Sequence, residues 1–141
     1  MEVHQAIRMW LTGFAGCVQR RDFKRATTYF HRRVYGFGSY ANACHGIDAL
    51  VARQWKQIWP NITGFRFELR HLHSQVSADG RWACAMVPWR STGYRSGRPF
   101  RRWGRMTVLL TRAHRRQPWR ALHTHYSLDP GTPQTTVRKS S

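Results

Sequence analysis

WRALHTHYSLDP, residues 119–130, reads as an extended segment closed by a proline. Alternate side chains of a strand share one face, so Trp119, Ala121, His123, His125 and Ser127 form one set and Leu122, Thr124 and Tyr126 the other. A tryptophan and an alanine in register with two histidines and a serine predict that this set looks into a cavity. Its polar members then form a reaction centre, a metal site or a polar lining.

Working backwards, HRRQP (114–118) is a turn, and the preceding segment Phe100–Arg112 is a strand with an MTVLL core. Within it Arg105, Thr107 and Leu109 share a face, and Met106, Val108 and Leu110 share the other. A strand over Trp82–Thr92 contains Pro88, which implies an edge or a bulge. SADG (77–80) is a hairpin-type turn, and the residues from Phe65 to His73 alternate as a half-buried strand. Before these the period changes. Ile7, Trp10, Leu11, Phe14 and Val18 mark an amphipathic helix. Asp22 starts a second helix through Phe23, Ala26 and Phe30, and Ile47 to Trp59 form a third that Pro60 ends. VYGFGSY (34–40) is a short strand or an irregular crossing.

The expected fold class is α+β, with three helices packed on the concave face of a curved antiparallel sheet of about four long strands plus a short one. One domain covers residues 1–130. The polar residues 131–141 are expected to be a disordered tail.

Twenty-four basic residues against six acidic give a net charge of +18. Such a field attracts polyanions, and Tyr94, Phe100 and Trp103 interleave with the arginines between Arg95 and Arg105, so nucleic-acid binding is an alternative function. The arginines are otherwise dispersed, which suits a solvated surface. Cys17, Cys44 and Cys84 cannot all pair and form no CxxC, which points to a reducing, cytoplasmic compartment. The first residues do not resemble a signal peptide, and no apolar run approaches membrane-spanning length.

VYGFGSYANACHGIDAL (34–50), GRMTVLL (104–110) and the closing WRALHTHYSLDP, in this order, resemble the SnoaL-like branch of the nuclear transport factor 2-like superfamily. Gly46, Arg105, Thr107, Trp119, His123, His125 and Ser127 match the family's G-x-x-A-(I/L), R-x-T and W…H-x-H-x-S patterns. The resemblance implies a sheet cone closed by helices, a mostly apolar pocket, and a homodimer formed through the outer face of the sheet. It leaves the activity open, because the fold hosts isomerases, dehydratases, hydrolases and non-catalytic binders. A related branch, the metal-free carbonic anhydrases of the iota class, ends in an H-H-H-S-S strand. Here Thr124 replaces the middle histidine and Tyr126 the first serine, which gives a lyase as a further alternative.

Cyclases and isomerases on this fold use a pocket carboxylate as base, and this sequence offers none. Asp22 and Asp48 belong to helix starts, Asp79 to a turn, Glu2 and Asp129 to the ends, and Glu68 to a face shared with Arg66 and Arg70. Zinc needs three or four ligands; His71 and His73, or His123 and His125, supply pairs without a third ligand type, so neither metal nor cofactor is expected. Cys44 beside His45 has no third group to orient it as a nucleophile. The reading is a domain that binds a small organic or anionic molecule, with His123 and His125 as candidate catalytic groups. Arg105, Thr107 and Ser127 are its expected polar contacts, and Tyr40, Trp55, Trp59 and Trp89 its expected aromatic walls, with Phe37 beside them.

Overall fold

The structure is a computed structural model that describes residues 2–139. Helix α1 (Val3–Arg20) begins at Glu2, whose carboxylate accepts from the His4 and Gln5 backbone N–H groups and satisfies two of the free donors of the first turn. It buries Ile7, Trp10, Leu11, Phe14 and Val18, the predicted stripe. Asp22 caps the short α2 (Phe23–Thr27) through the Arg25 N–H, but Phe30 already belongs to the first strand. The third helix is a continuous run of unlike turns: α-helical Ile47–Leu50, a π turn over Val51–Trp55, α-helical Lys56–Ile58 and a 3-10 turn at Trp59–Asn61 that includes Pro60.

Strands β1 (Phe30–Phe37), β2 (Cys44–His45), β3 (Thr63–Phe67), β4 (His73–Val76), β5 (Trp82–Arg95), β6 (Arg98–Arg101), β7 (Gly104–Thr111) and β8 (Arg120–Leu128) form one sheet. The path across it is β2-β1-β8-β7-β5-β3, with β4 and β6 also on β5. The sheet is mixed, because β1 runs parallel to β8 while every other pair is antiparallel. The segment at 34–40 therefore supplies the end of an eight-residue strand rather than a short crossing.

Pro88 explains why the strand expected from Phe65 to His73 is two strands. The Pro88 carbonyl accepts from Glu68 N–H, so the N–H that proline lacks would have faced the same neighbour. There the neighbouring chain leaves the sheet for a 3-10 turn (Leu69–His71) before β4 resumes. On the other side β5 is the spine of one long hairpin. Ser96 and Gly97, at φ 51° and 74°, make its two-residue turn. The Thr92↔Arg101 and Trp89↔Gly104 pairs keep a single register through the short gap between β6 and β7.

The helices and the inner face of the sheet enclose a core that includes Leu11, Phe14, Phe30, Val108, Leu110 and Ala121. Residues 131–139, expected to be disordered, instead dock. Thr136 is buried; its hydroxyl donates to the Asn61 carbonyl and accepts from Tyr94 N–H, while Val137 N–H donates to Tyr94 O. Side-chain and backbone hydrogen bonds of this kind leave no periodic trace in a polar sequence.

Candidate ligand-binding site

The cavity lies between the third helix and the inner face of β3, β5 and β8; its interior leaves about 30 Å³ free, and about 470 Å³ of empty space when the open solvent at its mouth is counted. Phe14, Trp55, Trp59, Phe65 and Trp89 form its walls, and the space between them is narrow. Trp55 and Trp59 stack with ring centroids 4.7 Å apart and planes 18° from parallel. Trp89 lies flat on the inner face because the residue opposite it is Gly104, where a Cβ would collide with the indole and with the Ser127 carbonyl. Three of the four predicted aromatic walls are thus on the cavity. Tyr40 is not: it is half exposed, and only its backbone N–H joins the site, donating to Gln54 Oε1.

The polar set predicted for the cavity is assembled, but on the other side of the sheet. Arg105 Nε donates to Ser127 Oγ at 3.0 Å, Thr107 is paired with His125, and Phe37 packs edge-on against His123 and His125 at 5.0 and 5.2 Å. His123 Nδ1 donates to the Tyr35 carbonyl at 2.6 Å. All of these side chains sit on the helix-free face. A β-bulge causes the inversion. Leu110 pairs with Ala121 and Leu109 with His123, so Leu122 is one residue too many and has no partner. Trp119 and Ala121 face inward as expected, but the extra residue shifts the phase, and beyond it Thr124 and Tyr126 point inward. In β7, too, the faces are reversed: Met106, Val108 and Leu110 are core, while Arg105 and Thr107, expected as polar contacts of the ligand, are exposed.

Inside the cavity the charged group is Arg102, which the sequence reading missed. It occupies the gap between β6 and β7 and pairs with Ser91 through both backbone hydrogen bonds. It is only 2% exposed. Its guanidinium lies 5.4 Å from the Trp89 ring and donates through Nη2 to Ser39 Oγ at 2.8 Å, while Nε has no partner. Among the described residues no carboxylate reaches it. Burial alone pushes its pKa down to about 10, so it remains a cation at neutral pH. Gly93 makes room for its stem, since a Cβ there would meet the Arg102 Cδ. The sequence did carry a signal, because Arg102 has the same parity as Gly104, Met106, Val108 and Leu110. Choosing the apolar set as the inner face places this arginine inside.

The other polar atoms on the wall are also donors. Tyr126 Oη and Trp89 Nε1 are buried without partners, and burial raises the Tyr126 pKa well beyond its usual range, keeping the phenol neutral. Ser39 Oγ accepts from both Arg102 and Gln54 Nε2, which leaves its own proton free. Gln54 Oε1 is fully used by the Tyr40 and Ala41 N–H groups. No three His, Cys, Asp or Glu side chains group as a metal requires among the described residues. Cys17 and Cys44 are free and buried, and burial raises both thiol pKa values, which makes them poor nucleophiles.

The SnoaL-like domain family matches residues 11–116, most of the chain. The chain belongs to this family. Solved structures similar to the SnoaL-like domain show the fold. An uncharacterised protein with a cystatin-like fold from Caulobacter vibrioides is 20% identical, with 93% of this chain and 92% of that one covered and a TM-score of 0.73. A putative dehydratase of the NTF2-like family from Streptomyces avermitilis is 15% identical, covering 92% and 97%, with a TM-score of 0.75. An NTF2-like superfamily protein from Salmonella enterica is 18% identical, covering 93% and 94%, with a TM-score of 0.76. No curated protein matches this chain significantly. No helix among the described residues is long and apolar enough to cross a membrane.

Proposed function

We propose that this SnoaL-like domain binds a small organic molecule in the cavity between Trp55, Trp59, Trp89 and Arg102. The observation that carries the reading is a concave, aromatic site whose lining residues Arg102, Tyr126 and Trp89 each leave a buried polar atom, Nε, Oη and Nε1, without a partner inside the fold. Buried polar atoms are normally paired, and a ligand supplies the missing partners. Titration of small planar compounds while following the Trp89 indole N–H by NMR tests it. Movement of that resonance with the Trp119 indole unmoved supports the reading; shifts confined to surface residues overturn it.

The outer face is read as a pairing surface. Arg105, Thr107, His123, His125 and Ser127 lie there with Tyr35, and Met86 is 40% exposed beside them, uncovered by any helix. In this reading these residues contact a second copy of the chain rather than the ligand, and the carbonic-anhydrase-like alternative loses its cavity histidines. Light scattering that finds a monomer across the accessible concentration range would remove the dimer. The unpaired cysteines support a cytoplasmic, reducing location.

One observation favours the polyanion alternative as a second activity. Arg81, Arg112 and Arg120 surround an open cleft with His31, and Arg112 is held over Trp119 at 3.9 Å and by the Gly80 carbonyl at 2.7 Å. Single-stranded nucleic acid titrated at two salt concentrations separates a site from diffuse attraction. Affinity that survives physiological salt supports the site, and collapse removes it.

A further inference from the structure

We infer that the cavity is a receptor for a flat organic monocarboxylate whose head is held by Arg102, with Ser39, Tyr126 and Trp89 as supporting donors. The inference rests on the cavity being the ligand site and adds the charge, the hydrogen-bonding sense and the shape of what it takes.

The charge comes first. A guanidinium that is 2% exposed and has no carboxylate within reach among the described residues is costly, because desolvation of a cation is offset only by a paired anion. None of the six acidic residues lines the cavity. The missing counter-ion must therefore arrive with the ligand. There is one such cation on the wall, so a second negative charge on the ligand would be buried unpaired. The site selects a monoanion.

The hydrogen-bonding sense agrees independently. Arg102 Nε, Trp89 Nε1, Tyr126 Oη and Ser39 Oγ all have protons to give, and the one carbonyl-type side-chain acceptor nearby, Gln54 Oε1, already accepts two bonds. A head group made only of acceptors, two oxygens in the plane of a guanidinium fork, satisfies this set; an amide presents one such oxygen and an amine none. Among the described residues the cavity also holds no carboxylate or imidazole to remove a proton, so the arrangement recognises the anion and does not act on it as a base.

The shape follows from the walls. Trp55 and Trp59 lie nearly parallel to each other, and the space beside them is narrow, which suits a planar body stacked on indole faces.

The test compares benzoate, its neutral isostere benzamide and the dianion terephthalate, followed at the Trp89 indole N–H, in wild type, Arg102→Gln and Arg102→Lys. Wild type is expected to prefer benzoate over benzamide by at least about tenfold and over terephthalate as well. Arg102→Gln should abolish the preference for benzoate over benzamide while both still bind weakly, and Arg102→Lys should retain part of it. Benzamide or terephthalate binding wild type as tightly as benzoate overturns the monocarboxylate inference and leaves the cavity reading standing. So does an unchanged benzoate preference in a folded Arg102→Gln protein. If none of the three moves the Trp89 resonance up to its solubility limit, both readings fall together.

Discussion

Along β7 and β8, successive residues meet two unlike surroundings. The inner set, Met106, Val108, Leu110, Thr124 and Tyr126, is packed under the helices; the outer set, Arg105, Thr107, His123, His125 and Ser127, has no helix above it. By residue type the outer set looks more like a functional site, with its imidazoles, guanidinium and hydroxyls. Yet the outer Arg105 has Ser127 and, at 4.0 Å, Asp129, together with solvent, whereas the inner Arg102 has one hydroxyl and an indole face. An exposed polar cluster satisfies itself with water at little cost. A buried one that is incomplete must be completed by something else.

The phase of β8 depends on one residue, so removing it breaks the contrast most completely. Deleting Leu122 eliminates the bulge and forces either Thr124 and Tyr126, or Trp119 and Ala121, to exchange faces with their neighbours. Exposing one of these sets and burying histidines in its place is expected to exceed the net stability of a domain this size, on the order of 5–15 kcal/mol. Circular dichroism should find no cooperative melt. A deletion variant that melts near wild type would show that the bulge does not set the phase.

Trp89→Ala tests the inner face alone. The indole is 1% exposed and packs on Phe65 and Tyr126, so its loss is expected to cost roughly 3–5 kcal/mol by urea unfolding. Met86→Ala, three positions away on the outer face of β5 and 40% exposed, should cost less than about 1 kcal/mol. Comparable losses at the two sites would mean that the outer face is covered in solution, as pairing with a second copy requires.

Much of this architecture is legible in the sequence because it rests on apolar periodicity. The α1 stripe, the Asp22 cap, the long hairpin around Ser96–Gly97 and the tryptophans of the third helix all carry a local signal. What was not legible rests on pairing. The bulge at Leu122 exists only relative to β7, and the break after Phe67 only relative to Pro88 of β5. Each changes which face a side chain takes without changing the local pattern. The docked segment after Asp129 is held by hydrogen bonds to Asn61 and Tyr94, far away in sequence. Arg102 was hidden in plain composition, one arginine among many in FRRWGR, and only the parity of the apolar residues beyond it separates it from Arg101 and Arg105.

That separation can be measured by replacing each arginine with methionine. For Arg105, 59% of whose side chain is exposed, the change is expected to lie within about 0.5 kcal/mol of neutral. For Arg102 the expected direction is a gain. Its pKa is lowered by burial from the usual guanidinium range to about 10, which corresponds to roughly 3 kcal/mol of penalty on the charged form. Below about pH 10 both folded and unfolded states hold the proton, and the penalty is present in full. Above about pH 10, up to the ordinary guanidinium pKa, the unfolded state binds more protons, and stability relative to a neutral side chain rises with pH. Methionine removes the charge but also the Ser39 hydrogen bond and the contact with Trp89, so the net gain should be smaller, about 1–3 kcal/mol. Urea unfolding of wild type and Arg102→Met should show that gain unchanged between about pH 6 and 9. Benzoate at saturating concentration should shrink it, because a bound anion stabilises only the protein that retains the cation. A loss of stability in Arg102→Met would mean that the guanidinium is already paired in the unliganded fold, and the inner and outer arginines would no longer differ in kind.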